Sequence, residues 1–221
     1  MSTYWDERFM KHYGKSDIKT IVEVGSRTGD EAIMMSNHFP DALIYACECN
    51  PNTIEECKEK LKRYKNIIFC NQALGNKIED KPFYSYVDNN DGASSFLFRI
   101  DGDTTMKQTG ILKINTLNNF IEKNKIDNID LLLLDTQGSE LDIIIGLEEH
   151  INNVKYIIAE IPKQIPNWHY LPKGTHSKYI DAPAYEEIID YLEQNNFKIV
   201  EKIQENFLED NILFSNIKLN A

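Results

Sequence analysis

The chain has 221 residues, 42% hydrophobic and 27% charged, with 24 lysines and arginines against 35 aspartates and glutamates. That size fits one large domain, or at most two small ones, with a core that needs no disulfide or metal, and the composition excludes wholesale disorder. The net charge of −11 opposes phosphate backbones and anionic lipid, so neither a nucleic-acid partner nor membrane insertion is expected. No run reaches the roughly 18–20 apolar residues of a membrane span.

The N-terminal stretch carries Tyr4, Trp5, Phe9 and Tyr13 and lacks the apolar run of a signal peptide. It reads as a helical extension over residues 1–16 docked on a domain of residues 17–221, in a cytoplasmic protein. In that compartment Cys47, Cys49, Cys57 and Cys70 are read as reduced thiols, and Cys47 and Cys49 share one face of a strand.

Residues 18–24 (IKTIVEV) predict a first strand. Gly25 to Gly29 form a glycine-bracketed loop, and a helix follows over 31–38, stopped by Pro40. Residues 42–48 predict a second strand. The next helix runs to about residue 64, with Thr53 and Glu56 spaced as a capping box. Strands are expected at 66–70, at 81–87 and, briefly, at 111–114, with a helix from about 116 to 125. Residues 129–134 (IDLLLL) suit a strand buried on both faces of a parallel sheet. A helix over 141–150 and a strand over 154–159, ending at Glu160, come next. Residues 162–183 form a long loop, read as a lid or acceptor loop. A helix over 185–195 and a hairpin of 197–205 with 210–214 complete the chain.

This alternation describes an α/β, doubly wound, mostly parallel sheet closed by an antiparallel hairpin. Such sheets bind ligands beyond the carboxyl ends of their strands. Polar clusters fall at those ends: Gly25 to Asp30, Glu48 to Asn50, Asn71-Gln72, Asp135 to Gln137, and Glu160. The first loop suits an anion or backbone approach, but its G-x-x-x-G spacing matches neither the nicotinamide fingerprint nor a P-loop. Glu48, 23 positions after Gly25, is placed to accept both hydroxyls of a ribose.

Taken in order, E-V-G-S-R-T-G (23–29), Y-A-C-E-C-N-P (45–51), N-Q-A-L-G (71–75), I-D-L-L-L-L-D-T-Q-G-S-E (129–140) and I-I-A-E-I (157–161) resemble the FkbM family of S-adenosylmethionine-dependent methyltransferases. The likeness spans residues 18–215 and implies the seven-stranded class I methyltransferase fold with S-adenosyl-L-methionine as cofactor. The resemblance assigns Glu23 and the loop Gly25, Ser26, Arg27, Thr28 and Gly29 to the methionine part of the cofactor. Glu48 is assigned to the ribose, with Cys49 beside it, Gln72 and Ala73 to the adenine, and Ser95 to the cofactor's vicinity. Asp135 falls beside the transferable methyl and the acceptor. Glu23 stands where the family commonly has Asp, Leu133 where it has Lys, and Gln137 where it has Glu; the last two are expected on the acceptor side.

Methyl transfer to an alcohol is an in-line displacement that needs alignment and help with proton loss. Asp135, Glu160, His169 and His176 are the candidate groups. Asp135 and Glu160, at the ends of adjacent strands, also suggest a shared divalent ion. The family points to a hydroxyl of a sugar or glycan as acceptor. Other small-molecule or lipid acceptors, a dinucleotide-dependent oxidoreductase and a binding module without chemistry are the alternatives.

Overall fold

The computed structural model describes residues 7–14, 17–86, 91–99, 106–163, 179–205 and 208–220. Seven strands form the main sheet: β1 (Thr20–Val24), β2 (Leu43–Glu48), β3 (Ile67–Asn71), β7 (Ile129–Leu134), β8 (Val154–Pro162), β9 (Phe197–Gln204) and β10 (Glu209–Asn216), ordered β3-β2-β1-β7-β8-β10-β9. The first five are parallel. β10 runs antiparallel between β8 and β9, so the expected terminal hairpin is present. Strand order reverses between β1 and β7, and it is there that a crevice opens at the carboxyl edge.

Aliphatic alternation explains why β7 sits at the centre. Leu132 and Leu134 pack with Val22, Val24 and Ile157 against α4 (Leu117–Asn124), α5 (Glu140–Ile145) and α6 (Tyr185–Gln194). Leu131 and Leu133 pack on the other face, with Ile21, Ile44 and Ile158, against α2 (Asp30–His38) and α3 (Ile54–Leu61). Burial on both faces removes the polar positions of an ordinary amphipathic strand.

Several elements differ from expectation. The short strand at 111–114 is the middle of β6 (Met106–Thr116), which pairs with β5 (Glu79–Tyr86) and with a three-residue strand, β4 (Ala73–Gly75), in a second sheet ordered β4-β6-β5. The helix expected over 141–150 is α5 followed by a 3-10 turn, Glu148–Asn153. No capping box forms at Thr53: its hydroxyl donates to the Asn50 carbonyl at 3.3 Å.

Within the described part of the N-terminal extension, helix is confined to one turn, α1 (Glu7–Met10). Phe9 is fully buried, and Tyr13 lies 5.9 Å from Phe39 and 5.4 Å from Tyr156, ring centre to ring centre. The segment therefore docks on the face covered by α2.

Candidate active site

The loop after β1 is shaped by its neighbours. Gly25 adopts φ 93°, and a Cβ there would lie 1.9 Å from the Asp135 carbonyl oxygen. Its N–H and that of Ser26 donate to the Cys47 carbonyl at 3.0 and 3.1 Å, while Asp135 N–H donates to Val24 O at 3.1 Å. The ends of β1, β2 and β7 are thereby locked together. At Gly29, φ 82°, a Cβ would meet Leu61 of α3 at 2.7 Å, so this glycine serves helix packing.

Glu48, at the end of β2, accepts three backbone N–H groups: Arg27 at 2.5 Å on one oxygen, Cys49 at 2.8 Å and Asn50 at 2.6 Å on the other. Burial raises its pKa, these bonds pull it back, and the charge of Asp135 raises it again. Glu23 is 1% exposed and accepts the Ser26 hydroxyl at 2.5 Å. Burial pushes its carboxyl up to about 8, and nearby Glu31, Glu48 and Asp135 add to the rise. Leu133 lies beside Glu23 in register, on the α2 face. The expectation that Leu133 lines the acceptor side is therefore wrong: the strand's alternation turns it into the core.

Asp135 opens the loop after β7. Glu140, in the first turn of α5, closes that loop by accepting Thr136 N–H at 2.8 Å, the Thr136 hydroxyl at 3.0 Å and Gly138 N–H at 3.0 Å. Burial pushes Glu140 up to about 7, against these bonds. At the tip, Gln137 takes φ 56°. Its amide nitrogen donates to Asp135 Oδ1 at 2.7 Å and to Glu160 Oε2 at 2.9 Å, and its carbonyl accepts the Tyr179 hydroxyl at 2.8 Å. The point between Asp135 and Glu160, expected to suit a divalent ion, is thus taken by an amide. Among the described residues no group of three or more His, Cys, Asp or Glu is arranged to hold a metal.

A cleft of about 580 Å³, its mouth in open solvent included, lies above these loops. Of the residues expected at a cofactor, Gly25, Arg27, Glu48, Cys49, Gln72, Ser95 and Asp135 line it. Glu23, Ser26, Thr28, Gly29 and Ala73 do not: Glu23 and Ser26 bond one another, Thr28 bonds Asp30 at 2.8 Å, and Ala73 is buried with Phe83, Phe96 and Ile114. Glu160 lies in a neighbouring recess with Glu140, Glu209 and Tyr179. His169 and His176, with residues 164–178 of the expected lid, lie outside the described residues. Sequence reasoning missed the apolar wall of Leu74, Phe83, Phe96 and Ile143 and the bridging roles of Gln137 and Tyr179. Phe83 and Phe96 meet edge to face, 5.0 Å apart, because the second sheet carries β5 over the cleft.

The model of the FkbM methyltransferase domain matches residues 23–199. The chain belongs to this family. None of the curated proteins matches it. Among solved structures, an FkbM methyltransferase from Methylobacillus flagellatus is similar at TM-score 0.55 and 12% identity, over 90% of this chain and 44% of that one. The chain thus spans less than half of that relative. A SAM-dependent methyltransferase from Aquifex aeolicus is similar at TM-score 0.52 and 13% identity, over 96% and 89%. M. capricolum TrmK, in complex with S-adenosyl-homocysteine, is similar at TM-score 0.53 and 11% identity, over 98% and 69%. At these identities the structural likeness establishes the class I fold; the FkbM match identifies the domain as a methyltransferase. No helix among the described residues is long and apolar enough to cross a membrane.

Proposed function

We propose that this FkbM domain transfers a methyl group from S-adenosylmethionine to a hydroxyl of a sugar or glycan. The observation that carries this reading is one cleft with Glu48 at the end of β2 and Asp135 at the end of β7, across the switch point. Its residues fit the cofactor. Glu48 has three of its roughly four acceptor sites on backbone N–H groups and retains capacity for a ribose hydroxyl. Leu74, Phe83 and Ile143 offer an apolar slot for the adenine beside Gln72. Arg27 is positioned for the methionine carboxylate, with Glu23 and Ser26 bracing the loop behind it. The carboxylates lining the cleft favour a cationic ligand.

The cofactor supplies an electrophilic methyl on a sulfonium. With the cofactor bound and its sulfur as leaving group, Asp135 would hold the acceptor hydroxyl in line with that methyl and would take its proton. Carboxylates on the acceptor side recognise hydroxyl donors, in keeping with a neutral polyol. Phe98, 40% exposed and edge to face with Tyr84 at 5.4 Å, offers a sugar an apolar face two residues beyond Phe96. A panel of glycans, lipids and amines incubated with methyl-labelled cofactor tests this. Label on a glycan oxygen is expected; label only on nitrogen or lipid overturns the acceptor assignment.

A further inference from the structure

We propose that Gln137 is a positioning residue: its carboxamide joins Asp135 and Glu160 in the place a divalent cation would take, so that the pair works without a metal. This rests on the reading above in which Asp135 faces the acceptor, and it adds the device that holds Asp135 there.

Asp135 follows β7 and Glu160 lies in β8, the adjacent parallel strand. Two carboxylates brought together at neighbouring strand ends repel unless something joins them. A metal, a cation, a shared proton or a double donor each does this. Here Gln137 supplies a double donor, with both Nε2 hydrogens used, one at 2.7 Å to Asp135 and one at 2.9 Å to Glu160. Because the two N–H bonds of an amide diverge by about 120°, the two carboxylate oxygens sit roughly 5 Å apart. The amide adds no charge of its own to the pair.

Amide orientation is set by chemistry. Turned over, the carbonyl oxygen would face two carboxylates, whereas in the observed sense it accepts the Tyr179 hydroxyl at 2.8 Å. Tyr179 is 1% exposed, and its hydroxyl also lies 3.0 Å from the Ala93 carbonyl. The backbone at Gln137 is held at φ 56°, a left-handed conformation that costs a side-chain-bearing residue about 1 kcal/mol. Ser95 fixes it there by donating its hydroxyl to Gln137 O at 2.8 Å. Tyr179 thus holds the side-chain amide and Ser95 the backbone that carries it, from two other segments of the chain. A glutamate at 137 would instead offer a third set of hard oxygens at the same point, the ligand type that suits Mg²⁺, Ca²⁺ or Mn²⁺.

Mn²⁺ titration followed by electron paramagnetic resonance tests the inference on the full chain, with S-adenosylhomocysteine affinity measured in parallel. Gln137→Glu is expected to gain Mn²⁺ affinity by at least ~10-fold over wild type, a gain abolished by adding Asp135→Asn. Wild type binding Mn²⁺ at micromolar affinity through Asp135, or Gln137→Glu gaining none, overturns it. Should Gln137→Glu fail to fold, the wild-type side-chain amide carries the test in ¹⁵N spectra. Its two Gln137 protons should be shifted downfield and slow to exchange, and both signatures should weaken in Tyr179→Phe. Ordinary solvent-like amide signals in wild type would refute the bridge. A wild type that fails to bind S-adenosylhomocysteine but shows the bridged amide would sink the cofactor reading and leave the bridge standing.

Discussion

Glu23 lets the electrostatics of the site be read as a stability slope. In the folded chain burial, above all, pushes its carboxyl from 4.5 up to about 8. Between those values the folded state keeps a proton that the unfolded chain has lost. Stability therefore falls as pH rises through this window and levels off above it. At about 1.4 kcal/mol per unit the full shift corresponds to some 5 kcal/mol. Glu140, pushed up to about 7, pulls in the same direction. Glu23→Gln mimics the protonated acid, still accepts the Ser26 hydroxyl and cannot ionise. Urea unfolding at pH 5, 6.5 and 8.5 is the assay. Wild type should lose several kcal/mol across the range, and Glu23→Gln clearly less. Parallel losses in the two proteins would refute the assignment of the slope to Glu23.

Gly25→Ala places a Cβ 1.9 Å from a backbone oxygen at φ 93°; a loss of at least ~3 kcal/mol, or no soluble protein, is expected by thermal unfolding. Glu140→Ala leaves the N–H groups of Thr136 and Gly138 without their acceptor, which should cost about 2–4 kcal/mol, or roughly 5–12 °C in Tm for a chain of this length.

The main sheet was legible because its central strands are apolar on both faces and its parallel strands end in polar clusters; residues 129–134 show this most plainly. Of the second sheet, β5 and a short stretch of β6 were legible, and the rest was not. β4 has only three residues, and β6 mixes Lys, Gln, Thr and Gly, with Ile111 65% exposed, so neither shows a clear two-residue period. Motif position alone put Glu48 and Asp135 at strand ends, where both line the cleft. Position did not reveal that Leu133 packs into the core beside Glu23, since that follows from where β7 ends. Nor did it reveal the work of Gln137, whose partners Ser95, Glu160 and Tyr179 lie 42, 23 and 42 positions away. Contacts at such separations leave no local pattern.

Calorimetric titration of S-adenosylhomocysteine into wild type and Glu48→Ala tests the central claim most directly, since the ribose contact and the cleft stand or fall together. The account predicts saturable one-to-one binding by wild type and a loss of at least ~10-fold in the variant, about 1.4 kcal/mol. Wild type that does not bind, or a Glu48→Ala variant that folds and binds as tightly as wild type, would contradict it.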